Sequence, residues 1–99
     1  TQSRSSAASD VYKRQIITSA TTLASGGQYI SNSSSALTHP LASGSAGSTV
    51  TIKNNGSGLV TIGRNGSQKI NGVAADATMP KGNAAQLVYV DSTTGWLVL

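Results

Sequence analysis

The chain has no cysteine, no phenylalanine and no glutamate. Without cysteine there is neither a disulfide framework nor a thiolate metal site. The only carboxylate side chains are Asp10, Asp76 and Asp91. Glycoside hydrolysis needs a carboxylate pair at a fixed separation. Asp76 and Asp91 are expected to form turns instead, the common use of isolated aspartates between strands. His39 is the only histidine. Before Pro40 it is expected at a strand end, as a satisfied polar residue. There is no Gly-x-Ser-x-Gly elbow and no Gly-Lys-Ser/Thr phosphate loop. No apolar run approaches the roughly 18 residues of a membrane-spanning helix. No signal-peptide core is visible and the first residue is not Met, so a processed product, a fragment or an incomplete frame is expected.

What is present is small and β-forming. The 99 residues suit one small domain. Hydrophobic residues make up 37% of the chain, and twelve alanines leave only 25 large apolar or aromatic side chains. A short chain also buries a smaller share of its surface than a long one. The core is therefore expected to be completed by other copies of the chain. The net charge of +4 is spread thinly, without the clustered basic face and stacking aromatics of a nucleic-acid groove. No nucleic-acid, membrane or cofactor partner is expected.

Two segments differ in character. Residues 1–15 are small, polar and aperiodic at their start, and predict a flexible or non-native N-terminal arm. Within them, Ser9-Asp-Val-Tyr-Lys-Arg-Gln15 resembles translated sequencing-adapter DNA. Residues 16–99 read as a single β-rich structural domain. Short β-branched runs at Ile16–Thr18, Thr21–Leu23 and Gln28–Ile30 predict strands. So do Ala36–His39 and Ala85–Val90, and Trp96–Leu99 after a Gly95 turn. No stretch has helical periodicity with a cap. The sharpest alternation is in Thr49–Lys53 and Leu59–Gly63, on either side of Asn54-Asn-Gly-Ser-Gly58. A hairpin with a five-residue loop would set Ile52 opposite Val60 and Val50 opposite Ile62, all on one face. A one-residue slip would scatter them over both faces. A three-residue loop, Asn65 to Ser67, would place Ile70 opposite Ile62. Met79-Pro80 ends a weaker run. The expected architecture is all-β: short antiparallel strands in a small sandwich or β-prism, completed by trimerisation. The residues expected in the core or the oligomer interface are Val50, Ile52, Val60, Ile62, Ile70, Tyr89 and Trp96. The apolar face of 49–64 is expected to hold the trimer.

The order of segments from about Thr21 to Leu99 resembles a small β-domain of tailed-bacteriophage structural proteins. Leu23, Gly27, Tyr29, Leu37, Pro40, Leu41, Gly47, Val50 and Ile52 carry the likeness in the first half. Arg64, Asn65, Gly66, Ile70, Leu87, Tyr89 and Trp96–Leu99 carry it in the second. The resemblance implies a non-enzymatic virion protein, a trimeric fibre or appendage module. Capsid decoration (cement) and a carbohydrate-binding adhesin are the alternatives. Its implied partners are further copies of itself, other virion proteins and, for an adhesin, a host-surface glycan. Tyr29, Tyr89 and Trp96 are the aromatics a sugar would stack on, but spread this far apart they are expected in the core or an interface.

Overall fold

The computed structural model describes residues 14–99, which form eight strands and no helix. They are β1 (Arg14–Ile17), β2 (Gln28–Ser31), β3 (Leu37–Pro40), β4 (Thr49–Asn54), β5 (Val60–Gly63), β6 (Ala77–Met79), β7 (Ala84–Asp91) and β8 (Gly95–Val98). A five-stranded sheet has the order β1-β2-β4-β7-β8, and a three-stranded sheet the order β3-β5-β6. The inner side chains of both sheets close on one core. The all-β expectation holds, but the strands are not all antiparallel. The pairs β1–β2, β2–β4 and β3–β5 are parallel.

The expected 49–64 hairpin does not form. β4 and β5 lie in different sheets. Val50 and Ile52 point into the core from one sheet, and Val60 and Ile62 from the other; none of the four is more than 2% exposed. The alternation was therefore a true sign of a buried face, while the pairing inferred from it was wrong. One chain already covers that face, so it is not available to hold a trimer. Burying each such side chain contributes roughly 1.5–3 kcal/mol. Ile70 does not face Ile62 either; it bridges Val73 and Trp96. Ile70, Tyr89 and Trp96 also lie in the core.

A winding chain replaces the hairpin. Gln28 pairs with Thr51 and Leu37 with Val60, each 23 positions apart. β2 and β3 thus form one coil, and β4 and β5 the next coil stacked on it. The two corners stack as well. Gly56 N–H donates to the Ser31 carbonyl at 3.2 Å and Gly58 N–H to the Ser33 carbonyl at 3.0 Å. The Asn55 side chain donates to Asn32 Oδ1 at 3.2 Å. A Cβ on Gly56 or Gly58 would overlap the Ser33 or Ser35 carbonyl oxygen. The Asn-Gly-Ser-Gly run that suggests a hairpin loop is a corner whose backbone lies directly on the corner before it.

The first coil is shorter. Arg14 pairs with Gln28 only 14 positions later, and the chain then crosses to a single parallel bridge between Leu23 and Leu41. Of the expected 1–15 arm, Arg14 and Gln15 open β1, and 1–13 lie outside the described residues.

The last part of the chain runs the other way. β6 pairs antiparallel with β5, and β7 antiparallel with β4. Together they retrace the β4–β5 coil in reverse. Asn54 ties the two directions together from a buried position. Its Nδ2 donates to the Gly58 and Met79 carbonyls, both at 2.9 Å, and its Oδ1 accepts from Gly56 N–H at 3.0 Å. β8 then adds to β7, and its far edge is taken up by 69–71. Trp96 N–H donates to the Lys69 carbonyl, Asn71 N–H to the Trp96 carbonyl and Val98 N–H to Asn71 Oδ1. An edge satisfied in this way offers no ladder to another chain.

Candidate functional site

Two polar clusters and one surface are the places where function could reside. The first cluster surrounds His39. β3 alternates, so Thr38 and Pro40 face outward and His39 faces inward, fully buried. On the facing β2, Ser31 is buried by the same alternation. Ser31 Oγ lies 2.9 Å from His39 Nε2, and Thr21 N–H donates to His39 Nδ1 at 3.1 Å. A backbone amide can only donate, so Nδ1 carries no proton. The neutral ring therefore holds its proton on Nε2 and donates it to Ser31 Oγ. Burial pushes the His39 pKa below its ordinary 6.5. The serine is thus the acceptor of this pair, and both side chains are buried among the described residues. A serine and a histidine in contact normally suggest nucleophilic chemistry; here the pair is a structural tie between the sheets.

The second cluster lies over the aromatics. Tyr89 and Trp96 pack edge to face, with ring centroids 5.6 Å apart and planes at 78°, an arrangement that favours the ring quadrupoles. Gly44 lies against them: a Cβ there would stand 2.6 Å from the Tyr89 ring and 2.8 Å from the Trp96 ring. Gln68 holds Gly44 in place at both backbone groups. Its Oε1 accepts from Gly44 N–H at 3.0 Å, and its Nε2 donates to the Gly44 carbonyl at 3.1 Å. Trp96 Nε1 has no hydrogen-bond partner among the described residues. Tyr29 is buried too and accepts the Ala24 amide on its hydroxyl at 2.9 Å. None of these three aromatics offers an exposed stacking face, and Tyr12 lies outside the described residues.

The aspartates serve turns. Asp76 Oδ1 accepts from Arg64 N–H at 3.0 Å and lies 3.8 Å from Arg64 Nε. Asp91 Oδ1 accepts from the Thr93 and Thr94 amides at 3.0 and 2.7 Å. Among the described residues no three His, Asp or Glu side chains come together as metal ligands.

The remaining candidate is the outer face of the five-stranded sheet. By strand alternation it carries Ile16, Ile30, Thr49, Thr51, Val88 and Leu97. Ile16 is 61% exposed and Leu97 37%. Arg14 and Lys53 are the charges on it.

Sequence reasoning missed Ser31, Asn54 and Gln68. All three are polar residues beside loop-forming runs, and only the stacking of coils gives them partners. Compared with known protein families and with curated proteins, the chain matches no family model and no curated protein.

Proposed function

We propose that the chain is a non-enzymatic structural module of a bacteriophage particle, a trimeric fibre or appendage element. The observation that carries the reading is the commitment of its reactive side chains. His39, Ser31, Asn54, Asp76 and Asp91 all spend their hydrogen bonds on holding coils and turns together. A stack of coils with one sealed end suits a load-bearing or surface-presenting part. The resemblance of its order of segments to tailed-phage β-domains supports placing it in a virion. The adhesin alternative has less support, because Tyr29, Tyr89 and Trp96 are buried.

The trimer needs a surface other than the 49–64 face. We assign it to the outer face of the five-stranded sheet, where Ile16 and Leu97 are exposed and Ile30 and Val88 are half-buried between them. Sedimentation at micromolar concentration should give the mass of three chains. Leu97→Asp should give a folded monomer, since three carboxylates would meet in the contact. An unmodified chain that sediments as a monomer would reject the trimer. Immunogold labelling of particles from a phage carrying this gene tests the virion placement; particles that bind no gold would reject it.

A further inference from the structure

Three Asn-Gly pairs lie in the described residues: Asn55-Gly56, Asn65-Gly66 and Asn71-Gly72. Asparagine before glycine ages by a known route. The glycine amide nitrogen loses its proton and attacks the asparagine Cγ. The N–Cγ bond forms, the bond from Cγ to the side-chain nitrogen breaks, and ammonia leaves. Water then opens the resulting five-membered imide to aspartate or isoaspartate. The step needs a glycine N–H that is not held by a hydrogen bond, and a side chain free to turn towards it.

The fold treats the three pairs differently. Gly56 N–H is bound twice, to the Ser31 carbonyl at 3.2 Å and to Asn54 Oδ1 at 3.0 Å, and the Asn55 side chain is tied to Asn32. Gly72 N–H donates to the Thr94 carbonyl at 2.8 Å, and Asn71 Oδ1 is taken by Val98 N–H at 2.9 Å. Asn65 begins a tight turn closed by Gln68 N–H donating to its carbonyl at 2.9 Å. Gly66, with φ +55°, takes the first central position of that turn, where the amide points away from the closing bond. Its N–H has no partner among the described residues. The Asn65 side chain has a single long bond, Nδ2 to the Leu41 carbonyl at 3.3 Å.

We infer that Asn65 is a selective site of spontaneous deamidation in the folded protein, and that its modification loosens the loop over Tyr89 and Trp96. Conversion to aspartate removes the donor to the Leu41 carbonyl and sets a carboxylate against that oxygen. Conversion to isoaspartate also adds a methylene to the backbone of the 65–68 turn. Gln68, which closes that turn, is the residue that holds Gly44 over the two rings. The change therefore reaches the roof of the aromatic pair through Gln68.

Trypsin separates the three pairs, because Lys53, Arg64, Lys69 and Lys81 place them in peptides 54–64, 65–69 and 70–81. Native protein aged at mildly alkaline pH should accumulate the product, one mass unit heavier, in 65–69 several-fold faster than in the other two. Protein aged in concentrated urea should lose that ranking. If 54–64 or 70–81 keeps pace with 65–69 in the native sample, or if urea leaves the ranking unchanged, the selectivity is not set by the fold and the inference fails. Hydrogen exchange tests the second half. Asn65→Asp should speed exchange of the Gly44 amide several-fold while leaving Leu87 protected. An unchanged Gly44 amide would overturn the link to the roof. Should that variant not fold, exchange in the aged, unmodified chain gives the same comparison.

Discussion

The two halves of the molecule bury the same kind of side chain by opposite routes. From β1 to β5 the chain winds forward, and each coil lies parallel on the one before. From β6 to β8 it turns back and pairs antiparallel. The coiled half depends on close approach of backbone to backbone. Gly56 and Gly58 have no unusual φ; they are glycines because another corner occupies the space of a Cβ. The turn between β6 and β7 depends on conformation instead, whereas Gly95, opening β8, has both a left-handed φ and the Lys69 backbone where its Cβ would be. Gly82, with φ +90°, has open space where its Cβ would be, and is needed for its dihedral alone. One residue type thus meets two physical demands, and only the neighbouring coil shows which applies.

This contrast makes predictions of decreasing size. Gly58→Ala should cost about 3 kcal/mol or more, since the overlapping atoms are backbone and cannot swing aside. Gly82→Ala should cost about 1–2 kcal/mol, the ordinary penalty of a left-handed alanine. Urea denaturation measures both, and equal losses would erase the distinction between a glycine set by a neighbouring corner and one set by its own dihedral. Asn54→Ala should fall between the two, at about 2–3 kcal/mol, because it strips buried partners from both halves at once. If it loosens only one half in hydrogen exchange, Asn54 is not the tie between them.

Acid should act on the coiled half first. The His39 pKa is lower folded than unfolded, so the unfolded chain binds the proton more readily. The stability that the neutral ring contributes is complete above the ordinary 6.5. It is lost progressively as pH falls through 6.5 towards the folded value, at up to about 1.4 kcal/mol for each pH unit between the two. The charged side chains on the elements around His39 point elsewhere: Lys53 and Arg14 are exposed, and Arg64 lies beside Asp76. Protonation would also place an N–H against the Thr21 amide. Below pH 6 the Thr21 and Leu23 amides should exchange faster while those of β7 stay protected. His39→Gln should flatten the pH dependence; an equally steep acid loss in that variant would acquit His39. The smallest effect should be that of Asn32→Ala. It removes one exposed side-chain bond across the corner and should shift stability by less than about 1 kcal/mol.

Alternation placed most of the strands within a residue or two. It also identified Val50, Ile52, Val60, Ile62, Tyr89 and Trp96 as inward-facing, because burial on one face leaves a period of two in the chain itself. Thr21–Leu23, expected as a strand, shrank to one bridging residue. The roles of Ser31, Asn54 and Gln68 left no local trace. A polar residue beside a loop looks the same whether it meets water or the carbonyl of another coil.

What the sequence determined by itself was the all-β class, the inner face of most strands and the positions of the turns, since propensity and patterning act over a few neighbouring residues. What only the tertiary structure decided was which strand lies beside which. Partners 23 positions apart across a parallel coil obey the same alternation as partners across a hairpin. The choice between them rests on whether glycine corners can stack and whether buried polar groups such as His39 and Asn54 find partners. Those contacts exist only once the coils are in place.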